Sequence, residues 1–189
     1  MITAKTVYFT NYERRLGQEQ VFSTITILDA ALATTAATSF FGDKKITNNG
    51  ITRSFGDAAL GENNPVTSLW AEARRQYGDK LEERIRCLLS LGTGVPQISK
   101  FGDDVKAVAK SVINIAKETE ATARKFRDSN GLAQCGVYYR FSPPDIYNIR
   151  MDDSEMKAEI EALTADYLED QGEYISRFRR DNTGAPSMS

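Results

Sequence analysis

The 189-residue chain contains no histidine. That absence excludes Ser-His-Asp and Cys-His hydrolysis carried out by this chain alone. Its two cysteines, Cys87 and Cys135, are too few for a disulfide framework and, without histidine, cannot supply the four ligands of a structural zinc site. They read instead as two buried thiols in a reducing compartment. No uninterrupted apolar run approaches the roughly 20 residues of a membrane span, and the opening stretch, MITAKTVYFTNYERR, has no secretory apolar segment. A surplus of one charge is missing too. With 24 basic and 26 acidic residues the net charge is −2, so no strong general pull toward nucleic acid or an anionic surface is expected. These absences point to a cytoplasmic protein that leaves nucleic acid alone, uses no metal, and moves protons with a carboxylate, Lys, Tyr or Cys.

What is present suits one soluble domain with one core, since 41% of residues are apolar and 26% charged. Lys5–Phe9, β-branched and aromatic, reads as a strand, and residues 10–22 as a loop. The Ala-rich residues 26–37 read as a helix pressed against a sheet, started by Thr26 with Asp29 three residues on, and anchored at its exit by Phe40 and Phe41. Asn48-Asn49-Gly50 signals a turn, after which Ile51–Phe55 forms a short strand running into Asp57. Pro65 suits the first turn of a helix capped by Asn63 or Asn64, with Val66, Leu69, Trp70 and Ala73 on one face and Gly78-Asp79 at its end.

Ile85–Leu91 is nearly all apolar and reads as a central strand buried on both faces, closed by Gly92-Thr93-Gly94 and by the loop at Pro96. A long helix is predicted from Asp103 to Asp128, with a stripe of Val105, Val108, Val112, Ala116, Thr119, Ala123 and Phe126, stopped by Asn130-Gly131. Val137–Phe141 reads as another strand, ended by Pro143-Pro144. A last helix starts near Asp153 on the stripe Met156, Ile160, Leu163 and Tyr167, with Gly172 breaking it before the basic residues Arg177, Arg179 and Arg180. Helices alternating with strands give the class α/β, with residues 1–180 as the domain and 181–189 as a flexible tail. Four or five strands make a small sheet, which suggests that strands are missing on its N-terminal side.

Three blocks carry chemistry when taken together: ILDAALATTAATSFF at 27–41, DAALGENNPV at 57–66, and CLLSLGTG at 87–94. In this order they resemble the patatin-like acylhydrolases. The Ala-rich helix with its aromatic pair, the D-G-[GA] stretch that holds a catalytic aspartate and continues L-G-x-N-N-P-V, and the strand with its Gly-Thr-Gly turn all have counterparts. YYRF at 138–141 and ALTADYL at 162–168 resemble the fungal-type branch. The resemblance covers roughly residues 5–170. It implies the C-terminal portion of a three-layer α/β/α domain with an incomplete sheet.

By the same resemblance Asp57 is the proton acceptor of a Ser-Asp dyad, with Ala58, Ala59, Asn63 and Asn64 as motif neighbours. Ala58 stands where the family has glycine. The implied substrates are glycerolipid or phospholipid acyl esters, with no cofactor and no metal. A G-x-S-x-G nucleophile elbow occurs nowhere in the chain, so the expectation is a chain inactive alone, or else a non-catalytic relative that binds lipid or protein. An uncovered sheet face or edge implies self-association.

Each motif also has a plainer reading. Asp57 before small residues suits an Asx-turn or a cap, and Asn63 and Asn64 suit capping. Gly92-Thr93-Gly94 reads as a structural turn, since no G-x-x-x-x-G-K-[ST] accompanies it. The arginine cluster reads as a solvated helix end with at most peripheral contact to anionic lipid.

Overall fold

A computed structural model of the protein describes residues 6–12, 25–37, 41–48, 50–58, 62–94, 106–130, 132, 136–144, 146 and 154–183, with backbone alone over 106–116. The chain divides into two compact units, Met1–Asn63 and Asn64–Ser189. Both mix helix with strand, and the class is α/β. Among the described residues no helix is long and apolar enough to cross a membrane.

In the first unit, helix α1 (Ile27–Thr34) begins at a reciprocal capping box. The Thr26 Oγ1 accepts the Asp29 N–H at 3.0 Å, and the Asp29 carboxylate accepts the Thr26 N–H at 3.3 Å. Asp29 also pairs with Lys44 at 2.8 Å, tying the start of α1 to strand β1 (Lys44–Asn48). Strand β2 (Ile51–Phe55) returns antiparallel to β1, with Ile46 opposite Arg53 and Gly50 at φ +77° in the turn. Strand β1 escaped the sequence reading because KKITN holds a single apolar residue, although Asn49-Gly50 between two short runs is a hairpin signal. Ala33 and Ala36 are the buried residues of the α1 segment. α1 lies against β1, as its alanines predict, but its first apolar residues are left out of that contact: Ile27 is 91% and Leu28 66% exposed. Thr6–Thr10 carries no strand pairing among the described residues. Phe9 instead packs its ring edge-on against Phe55, 5.3 Å between centroids. Phe41 is exposed rather than anchoring, and Phe40 lies outside the described residues.

The second unit holds helices α2 (Val66–Tyr77), α3 (Leu81–Arg84), α4 (Lys106–Ser129), α5 (Lys157–Asp170) and α6 (Gly172–Thr183), with strands β3 (Leu88–Leu91) and β4 (Tyr138–Phe141). β3 and β4 pair in parallel, with Leu88 beside Tyr138 and Ser90 beside Arg140. Side chains alternate across the pair. Tyr138 and Arg140 meet α4, through the Phe126 ring at 5.3 Å and the Glu120 carboxylate. Tyr139 and Phe141 meet α6, through the Phe178 ring at 5.0 and 5.8 Å. The core joins Val66, Trp70, Leu81, Leu88, Phe126, Leu132 and Tyr138, with Trp70 edge-on to Phe126.

Several expectations change here. The ladder begins at Leu88 rather than Ile85, and β3 is not buried on both faces: Leu91 is 72% exposed and Leu89 is exposed too. An apolar run alone does not distinguish a central strand from an edge. Among the described residues the strands form two separate two-stranded sheets, not one. Leu69 is exposed, while Val66 and Trp70 on the same helix are buried. In the α4 stripe Ala123 and Phe126 are buried and Thr119 is half-buried; Val105 lies outside the described residues. Helix α5 ends at Asp170 and α6 starts at Gly172, as the glycine predicts. α6 runs on to Thr183, so 181–183 are helical, and 184–189 lie outside the described residues.

Candidate functional site

The candidate aspartate sits in the first unit, two residues beyond the end of β2. The Asp57 N–H donates to the carbonyl of Ala36, just past α1, at 2.9 Å. This main-chain bond ties the loop after β2 to the exit of the Ala-rich helix. It connects two of the three sequence blocks, and the small residues of both let the backbones approach. Asp57 itself is half-buried and Ala58 is exposed. The chain then turns, the Glu62 N–H donating to the Ala58 carbonyl at 2.7 Å. Glu62 is fixed in turn by the Tyr8 hydroxyl, which donates to its carboxylate at 2.9 Å. Tyr8 and Glu62 were not singled out in the sequence; a contact across 54 positions leaves no periodic signal there. Ala59 lies outside the described residues.

The motif is divided between the units. Asn63, exposed, ends the first; Asn64 begins the second. Asn64 caps α2 from the residue before Pro65. Its Oδ1 accepts the Val66 N–H at 3.3 Å, while its Nδ2 donates to the Thr119 carbonyl of α4 at 3.2 Å. One side chain thus satisfies an orphan N–H at a helix start and fixes α2 against α4. The capping role expected of the asparagines falls to Asn64, and Pro65 sits at the cap position itself rather than in the first turn.

The third block is a packed turn. The Gly92 N–H donates to the Phe141 carbonyl at 2.8 Å, continuing the β3–β4 ladder by one bond. A Cβ on Gly92 would stand 2.4 Å from Ser142 Oγ, and one on Gly94, at φ +92°, would stand 2.4 Å from the Pro143 carbonyl oxygen. The glycines are there for close approach to the 142–144 loop. Cys87 is half-buried just before β3, and burial pushes its thiol pKa up, which suits an unreactive side chain. Cys135 lies outside the described residues.

Arg177 and Arg180 both approach the Asp181 carboxylate, at 3.7 Å each. Among the described residues no group of three or more Cys, Asp or Glu is placed to hold a metal ion. Compared with known proteins, the chain matches no family model, no curated protein and no solved structure.

Proposed function

We propose that this chain is the aspartate-bearing part of a patatin-like lipid acylhydrolase, with Asp57 as the base of a Ser-Asp dyad. The observation that carries the reading is the seat of Asp57: a half-buried carboxylate in a loop at a strand's end, its backbone pinned to Ala36. A general base needs to be held in place while remaining reachable by the group it deprotonates. In this reading a serine hydroxyl attacks the acyl carbonyl of a glycerolipid or phospholipid ester. Asp57 takes the hydroxyl proton, and later takes one from the water that releases the acyl group. The 189 residues contain no G-x-S-x-G, so the serine and the oxyanion donors come from a polypeptide segment other than this one. Each missing oxyanion donor alone costs on the order of 10²–10³ in rate. The chain by itself is therefore expected to leave short-chain and phospholipid esters intact. The test is to add a segment carrying the Gly-rich loop and elbow serine of a fungal-type family member, by fusion or co-expression, and to follow ester hydrolysis. Turnover that depends on Asp57 supports the reading. Turnover by the chain alone that survives Asp57→Asn overturns it.

A non-catalytic reading, a module that binds lipid or protein, is favoured by one observation. Helix α1 presents Ile27, Leu28 and Leu32 to solvent. Contiguous exposed apolar side chains mark interaction surfaces. If this reading holds, Leu28→Glu abolishes partner or self-association, while a serine-bearing segment restores no turnover.

A further inference from the structure

Asp57 stands in a turn whose own residues do little to hold it. Its neighbours Gly56 and Ala58 are small and exposed, and a glycine leaves the backbone free to swing. The bond from the Asp57 N–H to the Ala36 carbonyl fixes one point. A chain held at one point still pivots about it. Two more fixed points lie on either side. Before the aspartate, the Phe55 ring meets the Phe9 ring edge-on, 5.3 Å between centroids. After it, the Glu62 carboxylate accepts the Tyr8 hydroxyl at 2.9 Å, and the Glu62 N–H closes the turn on the Ala58 carbonyl at 2.7 Å.

Tyr8 and Phe9 are neighbours in the chain, their Cα atoms about 3.8 Å apart across one peptide. One short piece of chain therefore grips both ends of the turn, Phe55 at its entry and Glu62 at its exit. The four gripping residues are all half-buried. The two grips differ in kind. A ring pair holds its members together but tolerates some sliding. A hydroxyl donating to a carboxylate is charge-assisted and directional, so it sets orientation as well as distance. The aromatic residues of a segment that joins no strand ladder thus have a task of their own.

We propose that Tyr8 and Glu62 are positioning residues for Asp57, their hydrogen bond and the Phe9–Phe55 contact forming a two-point clamp that aims the carboxylate. The clamp lies wholly within the first unit. Its chemical role rests on the acylhydrolase reading; its mechanical role does not.

The clamp is read first, on the full chain alone, by hydrogen exchange of the Asp57 amide. Tyr8→Phe, which removes only the hydroxyl, is expected to speed that exchange about five- to tenfold, the scale of one lost hydrogen bond in a local opening. The Leu88 amide, bonded to the Val137 carbonyl in the other unit, should keep its rate. The positioning role is read next, with the serine-bearing segment added and ester hydrolysis followed. Tyr8→Phe and Glu62→Ala should each lower kcat about tenfold with KM within about twofold, since a misaimed base costs rate rather than binding. Glu62→Gln, which keeps an acceptor for Tyr8, should restore most of the rate. Tyr8→Phe combined with Glu62→Ala should be no worse than either alone, because both break the same bond. Thr47→Val removes the hydroxyl bond to Thr52, 2.8 Å, at the turn end of the hairpin, and should leave kcat unchanged. Unchanged Asp57 exchange in Tyr8→Phe overturns the clamp. Faster exchange with undiminished kcat overturns the positioning role. If the assembled parent shows no turnover that depends on Asp57, the acylhydrolase reading fails and the positioning role with it, while the exchange result still decides the clamp.

Discussion

Asp57 and Ala36 are joined through main-chain atoms alone, N–H to carbonyl at 2.9 Å, across 21 positions of sequence. That bond survives any change of the aspartate side chain that keeps a backbone N–H. Asp57→Asn keeps that bond and the side chain's shape, so at this half-buried position it is expected to cost no more than about 1 kcal/mol. With the serine-bearing segment added, the same substitution should lower ester turnover by about 10²–10⁴, the worth of a general base. Thermal melts and turnover read the two effects separately. Loss of fold together with loss of turnover would make Asp57 a structural residue.

Arg140 ties three elements of the second unit together. Its Nε donates to Glu120 of α4 at 3.1 Å, its Nη1 to Ser90 of β3 at 2.8 Å, and its own N–H to the Tyr174 hydroxyl of α6 at 3.1 Å. The ion pair is mostly out of water, the arginine side chain 11% and the glutamate 24% exposed. Removing one partner from such a pair strands the other. Arg140→Ala is expected to cost about 2–3 kcal/mol in denaturant unfolding, less than for a fully buried pair because water reaches Glu120. Arg140→Met with Glu120→Leu should recover part of the loss, since the stranded charge is then gone. A double variant no better than the single one would show that the geometry of the network matters more than its charges.

Which parts of this molecule were legible in the sequence follows from how local their causes are. Helix α4 and strand β2 could be read directly, the first from a stripe repeated over six turns, the second from Ile51–Phe55 set between a turn and small residues. Asp57 could be placed at a strand's end for the same reason. Its tether to Ala36 could not, nor the reach of Asn64 to Thr119, because both join positions far apart with no pattern between them. Ile85–Leu91 misled in a different way. Its apolar residues promised burial on two faces, yet burial depends on which neighbours arrive, and Leu91 meets solvent.

The turn after β3 predicts a ranking of glycine substitutions. Gly94→Ala adds a Cβ beside a backbone carbonyl at 2.4 Å and also demands a positive φ, so both terms are unfavourable and neither can relax cheaply. Gly92→Ala meets Ser142 Oγ and Cβ and the Arg140 guanidinium, so it disturbs side chains rather than a backbone carbonyl and demands no positive φ. Gly50→Ala meets open space and bears only the cost of φ +77°. The expected losses are about 3, about 2 and about 1 kcal/mol respectively. Melting curves of the three variants check the order, and a Gly94→Ala as mild as Gly50→Ala would contradict the close packing of the two loops.

Tyr139 supplies the pH dependence. Its ring is fully buried between Tyr174 and Phe178, and its hydroxyl donates to the Asp181 carboxylate. Burial, and then that neighbouring carboxylate, push the phenol from its ordinary 10.0 up to about 12. The sign follows from the direction. The folded state keeps this proton where the unfolded chain has already released it, so the stabilisation is whole below pH 10 and is lost as pH rises toward about 12. Absorbance titration of tyrosinate should show one phenol ionising near pH 12, or only as the chain unfolds. Tyr139→Phe should remove that phenol and flatten the fall in stability between pH 10 and 12. At neutral pH it should cost only about 1 kcal/mol, the net worth of one hydrogen bond, because Arg177 and Arg180 remain beside Asp181. If Tyr139→Phe melts at pH 11 with the same relative loss as the parent chain, the Tyr139–Asp181 bond does not set the alkaline limit of the fold.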